Sequence, residues 1–261
     1  MSGPPRARVA VVTGVTSGIG AALARRLAAS GYTVVGLARD EGRLAAVAAE
    51  CAALRDASAG ARPSAAAAAP PFVPVRVDLA VPADRARALA DVAARFDALD
   101  VLVNDAAEVV YELPSALAPA AWQRLLDVNL LAGIELVHGL LPRLTRGGHI
   151  VNVSSVTARF LPAARFGPYA VTKAALEEWT RALRLEVDPR GIKVTLVAPG
   201  LVDTPIYDKV QGFEEARARI RTQVTTWLAA DDVAEAVVWA LERPPHVVVG
   251  ELVLLPAGQA R

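Results

Sequence analysis

Tyr169 and Lys173 stand four residues apart in the stretch Tyr169-Ala-Val-Thr-Lys173. On a helix that spacing puts a phenol and an ammonium on one face, about a turn apart. A free tyrosine, with a pKa of about 10, is a poor acid–base group near neutrality. A nearby ammonium favours the phenolate and lowers that value. Bringing it to about 7–8 takes roughly 3–4 kcal/mol of differential stabilisation. The same spacing also arises by chance on many surface helices. Upstream, the run Ile150-Val-Asn-Val153 ends in two hydroxyls, Ser154 and Ser155. Alone, that is a strand running into a turn. Parallel strands, however, deliver active-site groups at their carboxyl ends.

A third signal lies near the N-terminus. Val9-Ala-Val-Val12 is short and continuously apolar, as a strand buried on both faces should be. Directly behind it comes Thr13-Gly14-Val15-Thr16-Ser17-Gly18-Ile19-Gly20, after which Ile19, Leu23 and Leu27 fall at helical spacing. A glycine-rich turn therefore joins a buried strand to a helix N-terminus. Free N–H groups and the helix dipole make such a place a site for a nucleotide pyrophosphate. The glycines let the backbone approach the phosphates without a Cβ in the way.

The elements that would position these groups alternate along the chain. Strand-like runs occur at Val9–Val12, Thr33–Leu37, Val73–Val77, Val101–Val103, His149–Val153, Lys193–Val197 and Val247–Leu255, with helical patterns between them. That alternation predicts a parallel sheet covered on both faces. The stretch 57–71 (ASAGARPSAAAAAPP) has no large apolar residue and is expected to be a surface excursion before the third strand. The hydrophobic fraction of 54% supports a large core, and the net charge of +1 favours neither nucleic acid nor an anionic membrane as partner. The single cysteine, Cys51, cannot form an internal disulfide and is expected to be buried. The first residues carry no apolar signal core, and no uninterrupted apolar run is long enough to span a membrane. A cytoplasmic location is the expectation. The three histidines have no metal-ligand spacing, so no metal is assigned.

Taken together, these pieces resemble the short-chain dehydrogenase/reductase family. The resemblance rests on TGVTSGIG at 13–20, Asp78-Leu79 after the third strand and Asn104 opening Asn-Asp-Ala-Ala. It continues through Val128-Asn129-Leu-Leu-Ala-Gly133, then Ser155, Tyr169 and Lys173, and Pro199-Gly200 leading to Thr204. It covers nearly the whole chain in the family's order. It implies an α/β fold: one Rossmann-like doubly wound domain over 1–261, with a seven-stranded parallel sheet and helices on both faces. The excursion near 57–71 would be a surface insertion, and 201–226 the substrate lid.

The resemblance implies roles residue by residue. Tyr169 resembles the proton donor to a carbonyl oxygen. Lys173 resembles the group that depresses the tyrosine pKa and binds the nicotinamide ribose. Ser155 resembles the hydroxyl that holds and polarises the substrate oxygen, and Ser154 falls to structure. Asn129 resembles the helix asparagine that holds a water between Lys173 and solvent; on its own it could equally satisfy a buried backbone group. The dinucleotide is expected against Gly14, Thr16, Ser17, Gly18, Ile19 and Gly20 of the turn and Arg39 after the second strand. Its further contacts would be Asp78, Leu79, Asn104 and Ala106, then Tyr169 and Lys173, then Pro199, Gly200, Val202 and Thr204. The family's usual Asn-Asn-Ala-Gly appears here as Asn104-Asp105-Ala106-Ala107, which adds a carboxylate and a methyl close to the cofactor.

NAD-preferring relatives carry an acidic residue near the Ala38 position, to accept from a ribose hydroxyl. Here Ala38 is followed by Arg39, whose guanidinium suits a 2′-phosphate, so NADP(H) is the expected cofactor. Asp40 either caps the next helix or neutralises Arg39. Ile206, Tyr207, Val210, Phe213 and Ile220, with Phe160, Leu161 and Phe166, suggest a largely apolar pocket for a small carbonyl or alcohol substrate. The leading expectation is an NADPH-dependent reductase of ketones or aldehydes, reversible as an alcohol dehydrogenase. An isomerase or dehydratase on the same fold and a non-catalytic NADP(H) sensor are the alternatives. Leu125, Leu126, Leu130, Leu131, Ile134 and Val137 span too wide an arc for one core-facing side, and the family commonly pairs such helices, so a homodimer or homotetramer is expected.

Overall fold

The computed structural model describes residues 6–59, 69–208 and 210–259. Seven strands form one parallel sheet: β1 (Arg8–Thr13), β2 (Tyr32–Ala38), β3 (Phe72–Arg76), β4 (Leu99–Asn104), β5 (Leu144–Val153), β6 (Lys193–Pro199) and, at the far edge, β9 (Glu251–Leu254). Their order is β3-β2-β1-β4-β5-β6-β9. Every residue of β2 and β6 is buried, which is why both lack alternation in the sequence. Pro74 interrupts β3 harmlessly because β3 is an edge strand. The chain winds outward through β1, β2 and β3, then returns to place β4 on the other side of β1. The carboxyl ends of β1 and β4 therefore flank the point where the winding reverses, the place where such sheets bind ligands.

Helices cover both faces. Side chains of alternate strand residues, such as Ala10, Val12 and Val34, join Leu23 and Leu27 of α1 (Gly18–Ala29), Leu44 of α2 (Glu41–Ala59) and Val237 of α8 (Ala230–Leu241). The opposite set, Val9, Val11 and Val35, joins Ala88 of α3 (Pro82–Arg95), Leu136 of α5 (Ala132–Leu140) and Leu183 of α6 (Gly167–Val187). Between α4 (Pro119–Leu126) and α5 the backbone makes a π-helical turn at Asp127–Leu131. A third small cluster stands apart. Phe166, Val210, Phe213 and Ala216 pack with Tyr111 and Tyr207 around α7 (Glu214–Gln223). A short parallel ribbon, β7 (Val202–Asp203) with β8 (Leu228–Ala229), ties the two ends of that segment together.

Several boundaries differ from expectation. β5 begins at Leu144, which pairs with Leu99 ahead of a bulge that includes left-handed Gly147 (φ +87°); regular pairing resumes at His149. The last strand pairs only from Glu251. Before it, Lys193 Nζ donates to the carbonyls of Arg243 and Pro244, and Thr195 Oγ1 to that of Val249, so side chains replace the ladder. α2 runs on to Ala59, and 60–68 of the expected insertion lie outside the described residues. The helical run Pro119–Arg143 is long and apolar enough to cross a membrane by length and composition, a test that a core helix also passes. Asp127, Asn129 and Glu135 keep it from reading as an uninterrupted apolar run. Its inner residues Leu136, Val137 and Leu140 pack against the sheet.

Candidate active site

The turn after β1 is built by three glycines with three different constraints. Gly14 (φ +75°) and Gly18 (φ +53°) adopt left-handed backbone that favours glycine. A Cβ on Gly14 would lie 3.1 Å from the Ala106 backbone, and one on Gly20 would lie 2.6 Å from the Gly14 carbonyl oxygen. Ser17 leads into α1 without a side-chain cap. The turn therefore keeps backbone close to a cleft of about 530 Å³, walled by 105–109, the end of β2, Asp78-Leu79 and Thr204-Ile206. Across it, the loop after β4 is pinned by Thr13 Oγ1, which accepts the N–H groups of Asp105 and Ala106, each at 2.9 Å.

At one end of the cleft, Arg39 and Arg43 line the wall. Arg43 was not singled out in the sequence, although a basic residue one helical turn beyond Arg39 was the available signal. Asp40 resolves its two alternatives here: its Oδ1 accepts the Arg43 N–H at 3.0 Å and its Oδ2 lies 3.7 Å from Arg43 Nε, so it starts α2 and pairs with Arg43. Arg39 instead meets Glu108 across the cleft at 3.3 Å. Glu108 also binds Arg124 through two bonds of 2.9 and 2.6 Å. One Asp78 oxygen is occupied by the Ala80 N–H, in a local turn.

Ser155, Tyr169 and Lys173 do not wall this cleft; Tyr169 and Lys173 meet it through Asp105, whose charge acts on both. Ser154 points inward, donating to the buried Glu177 at 3.0 Å. Ser155 donates to Thr157 Oγ1 at 3.0 Å and accepts the Thr157 N–H. Lys173, 2% exposed, donates to the Val153 carbonyl at 2.7 Å. Burial lowers its pKa to about 8, and the Asp105 charge partly opposes this. Burial is also the main influence on Tyr169, and it raises the phenol above its ordinary value; the Tyr207 and Asp105 groups push the same way, and hydrogen bonding with Ser155 pulls down. This is the reverse of the expected depression. The reason is desolvation of the buried phenol, with Lys173 Nζ 5.9 Å from the ring centre.

Asn129 sits in the π turn, a geometry frequent at functional sites. Its Oδ1 accepts the Glu108 N–H at 2.8 Å, and its Nδ2 donates to the Glu108 carbonyl at 2.9 Å and to Thr172 Oγ1 at 3.0 Å. It thus satisfies buried backbone, as the plainer of its two readings had it. Beside it a cavity of about 10 Å³ is lined by Thr13, Asn104, Asn129 and Lys173. Asn104 donates to Asn152 at 2.8 Å, and its own Oδ1 has no partner among the described residues.

Of the residues expected at a dinucleotide, Gly14, Thr16, Ser17, Gly18, Ile19, Arg39, Asp78, Leu79, Ala106 and Thr204 line the large cleft. Gly20 supports the turn from behind. Asn104 and Lys173 line the small cavity instead. Pro199, Gly200 and Val202 do not wall the cleft: Gly200 packs on the Gln259 side chain, which also accepts the Leu201 N–H at 2.9 Å, and Val202 is buried in the core. No cluster of three or more metal-ligating side chains occurs among the described residues.

A doubly wound sheet with a glycine turn and a cleft at its switch point defines a dinucleotide-binding class of fold. The family model for short chain dehydrogenases matches residues 8–215. Bos taurus dehydrogenase/reductase SDR family member 11 is 32% identical over 261 residues, covering 97% of this chain and 98% of that protein. Serine 3-dehydrogenase of Agrobacterium fabrum is 32% identical over 253 residues, covering 96% and 94%. Among solved structures, a short chain dehydrogenase from Burkholderia cenocepacia J2315 in complex with NADP superposes with TM-score 0.81 at 32% identity, covering 97% of this chain and 98% of that one. The closed form of serine dehydrogenase complexed with NADP+ does so with TM-score 0.81 at 25% identity, covering 97% and 96%. The chain belongs to the short-chain dehydrogenase/reductase family of oxidoreductases.

Proposed function

We propose that this chain is an NADP(H)-dependent oxidoreductase that reduces a ketone or aldehyde to an alcohol and catalyses the reverse oxidation. The observation that carries this reading is one cleft lined by the 14–19 turn, Arg39, Arg43 and Asp105, with Asp105 in turn acting on both Tyr169 and Lys173. The cradle fits a dinucleotide: Gly14 and Gly18 take left-handed backbone where a Cβ would be tight against Ala106 and Thr204, and a Cβ on Gly20 would collide with the Gly14 carbonyl. The two guanidinium groups suit a 2′-phosphate. The serine dehydrogenase and Burkholderia structures, both with NADP, support that choice.

When bound, a nicotinamide supplies or accepts hydride. Ser155 holds the substrate oxygen, and Tyr169 gives its hydroxyl proton to that oxygen during reduction. Lys173 anchors the ribose and carries positive charge toward the phenol. Asn129 fixes the 105–108 loop and edges a water-sized cavity, which supports its expected part in returning the proton to Tyr169. Segment 201–226 serves as the lid over an apolar substrate. We assign the protein to the cytoplasm and to a homodimer or homotetramer; Leu185 on α6 is 79% exposed and Val171 52%, an apolar face suited to a second copy.

A panel of ketones, aldehydes and alcohols with NADPH and NADH tests this reading. Stoichiometric change in nicotinamide absorbance with turnover is the expected result. Turnover without that change would establish isomerase or dehydratase chemistry instead. Tight NADP(H) binding with no turnover across the panel would favour the sensor.

A further inference from the structure

Asp105 is a cleft residue to which the proposed reaction gives no task. The residue is partly buried, and its carboxylate turns toward the glycine turn. Its Oδ2 would lie 3.3 Å from a Cβ on Gly14 and 2.8 Å from one on Gly20. It thus lies beside Gly20, in the first turn of α1. That donor end of a helix is where a phosphate binds. The chain thus carries an anion of its own against the turn expected to hold a dinucleotide's pyrophosphate.

The surroundings leave this carboxylate poorly compensated. From α6 it faces Lys173 and the Tyr169 phenol; Lys173 attracts it without a direct ion pair among the described residues. β1 offers the Thr13 hydroxyl, which binds the Asp105 backbone N–H and not the carboxylate. From α1 the neighbour is Gly20, which brings no charge. Glu108, three residues on, is engaged by Arg39 and Arg124. Burial raises the Asp105 pKa to about 7, so both protonation states are accessible near neutrality.

We propose that Asp105 makes dinucleotide binding proton-coupled: the carboxylate and the pyrophosphate share the N-terminal end of α1, and binding draws a proton from solvent onto Asp105. The inference rests on the assignment of the 13–20 turn as the phosphate cradle. Above the free-protein titration, affinity falls with pH, by up to about tenfold per pH unit, because each binding event must first protonate the group. The effect is the same for NADPH and NADH, since both carry the pyrophosphate. In that respect it differs from any effect at Arg39.

The test is a fluorescence titration of NADPH and NADH against wild type and Asp105→Asn from pH 6 to 9, with calorimetry at pH 7.5 in buffers of different ionisation enthalpy. The ratio of wild-type to variant Kd is expected near one at pH 6 and to grow about tenfold or more by pH 8.5, for both cofactors. Wild type should take up more protons on binding than the variant does. A ratio constant with pH, or equal proton uptake in the two proteins, overturns the proposal, because uptake by Lys173 survives in the variant. Should Asp105→Asn fail to fold, infrared difference spectra of wild type decide. Appearance of a protonated carboxyl band on NADH addition supports the proposal, and its absence overturns it. Failure of both cofactors to bind wild type at any pH overturns the NADP(H) reading as well, whereas binding with a flat ratio overturns this inference alone.

Discussion

Arg39 offers a quantitative test of cofactor choice. Its side chain is 55% exposed and lies 3.3 Å from Glu108 on the opposite wall of the cleft. To reach a 2′-phosphate it must leave that partner. Charged hydrogen bonds contribute roughly 1.5–3 kcal/mol. An exposed ion pair contributes about 0–1 kcal/mol, which is what leaving Glu108 costs. The difference, about 1–2 kcal/mol, is on the order of 5- to 30-fold in affinity. Arg39→Ala should therefore weaken NADPH binding by that factor while changing NADH by less than about twofold. Adding Arg43→Ala should extend the selective loss, since both guanidiniums line the same wall. Glu108→Gln works in the opposite sense: it frees Arg39 and should tighten NADPH a few-fold. Fluorescence titration of the four proteins with both cofactors reads all of this. Equal losses for NADPH and NADH would show that Arg39 supports the fold of the cleft and does not read the phosphate. A wild-type preference for NADH would refute the reasoning at its root.

Tyr169→Phe should abolish carbonyl reduction in steady-state assays and leave NADPH binding nearly intact, whereas Lys173→Ala should harm both; retained turnover in Tyr169→Phe would remove the tyrosine from the proton-donor role. Gly36→Ala in β2 would drive a Cβ into the Phe72 ring and to 2.9 Å from Val15 Cγ2. Such overpacking costs about 1–3 kcal/mol, so calorimetry should show a melting temperature lower by roughly 3–10 °C, and an unchanged value would refute the packing argument. Without cofactor, folded Asp105 titrates near pH 7 against about 4 when unfolded. The folded state therefore holds more protons between those values and loses stability as pH rises through them, by at most about 4 kcal/mol. Asp105→Asn should be the more stable protein above pH 7 by urea unfolding, with the gap closing toward pH 4; a gap independent of pH would contradict the titration. Light scattering at micromolar concentration should give two or four chain masses, and a single-chain mass would exclude the assembly.

Much of this molecule is legible in the residues because buried parallel strands leave unbroken apolar runs. β2 and β6 are the clearest cases, every residue being buried. The glycine turn is equally legible, since close backbone approach admits few other residues. The pattern fails where contacts join segments distant in sequence. Nothing near Glu108 announces that it bridges Arg39 and Arg124, 69 and 16 residues away. Asn129 reads as a helical asparagine, but the π turn that aims it at the Glu108 backbone is a property of the folded helix pair. Arg43 was missed because a basic residue in the first turn of a helix is commonplace, and its meaning comes from the wall it shares with Arg39. The expected depression of the Tyr169 pKa failed for another reason. Spacing reports which groups are neighbours and says nothing of how deeply both are buried.

The aromatic cluster beside the cleft has a consequence for redesign. Phe213 of the 201–226 segment stacks against Tyr111 and Phe166 with ring centres 5.2 and 5.3 Å apart, and against Tyr207 at 5.3 Å. That cluster is separate from the two cores on the faces of the sheet. The β7–β8 ribbon pins the segment at its base. The segment is therefore a cassette with its own small core and two closely spaced anchor points. Exchanging it for that of another family member would touch the sheet's core at Val202 alone among the residues named, provided the donor also brings its counterparts of Tyr111 and Phe166. A graft bounded strictly at 201 and 226 would cut the cassette's core in two.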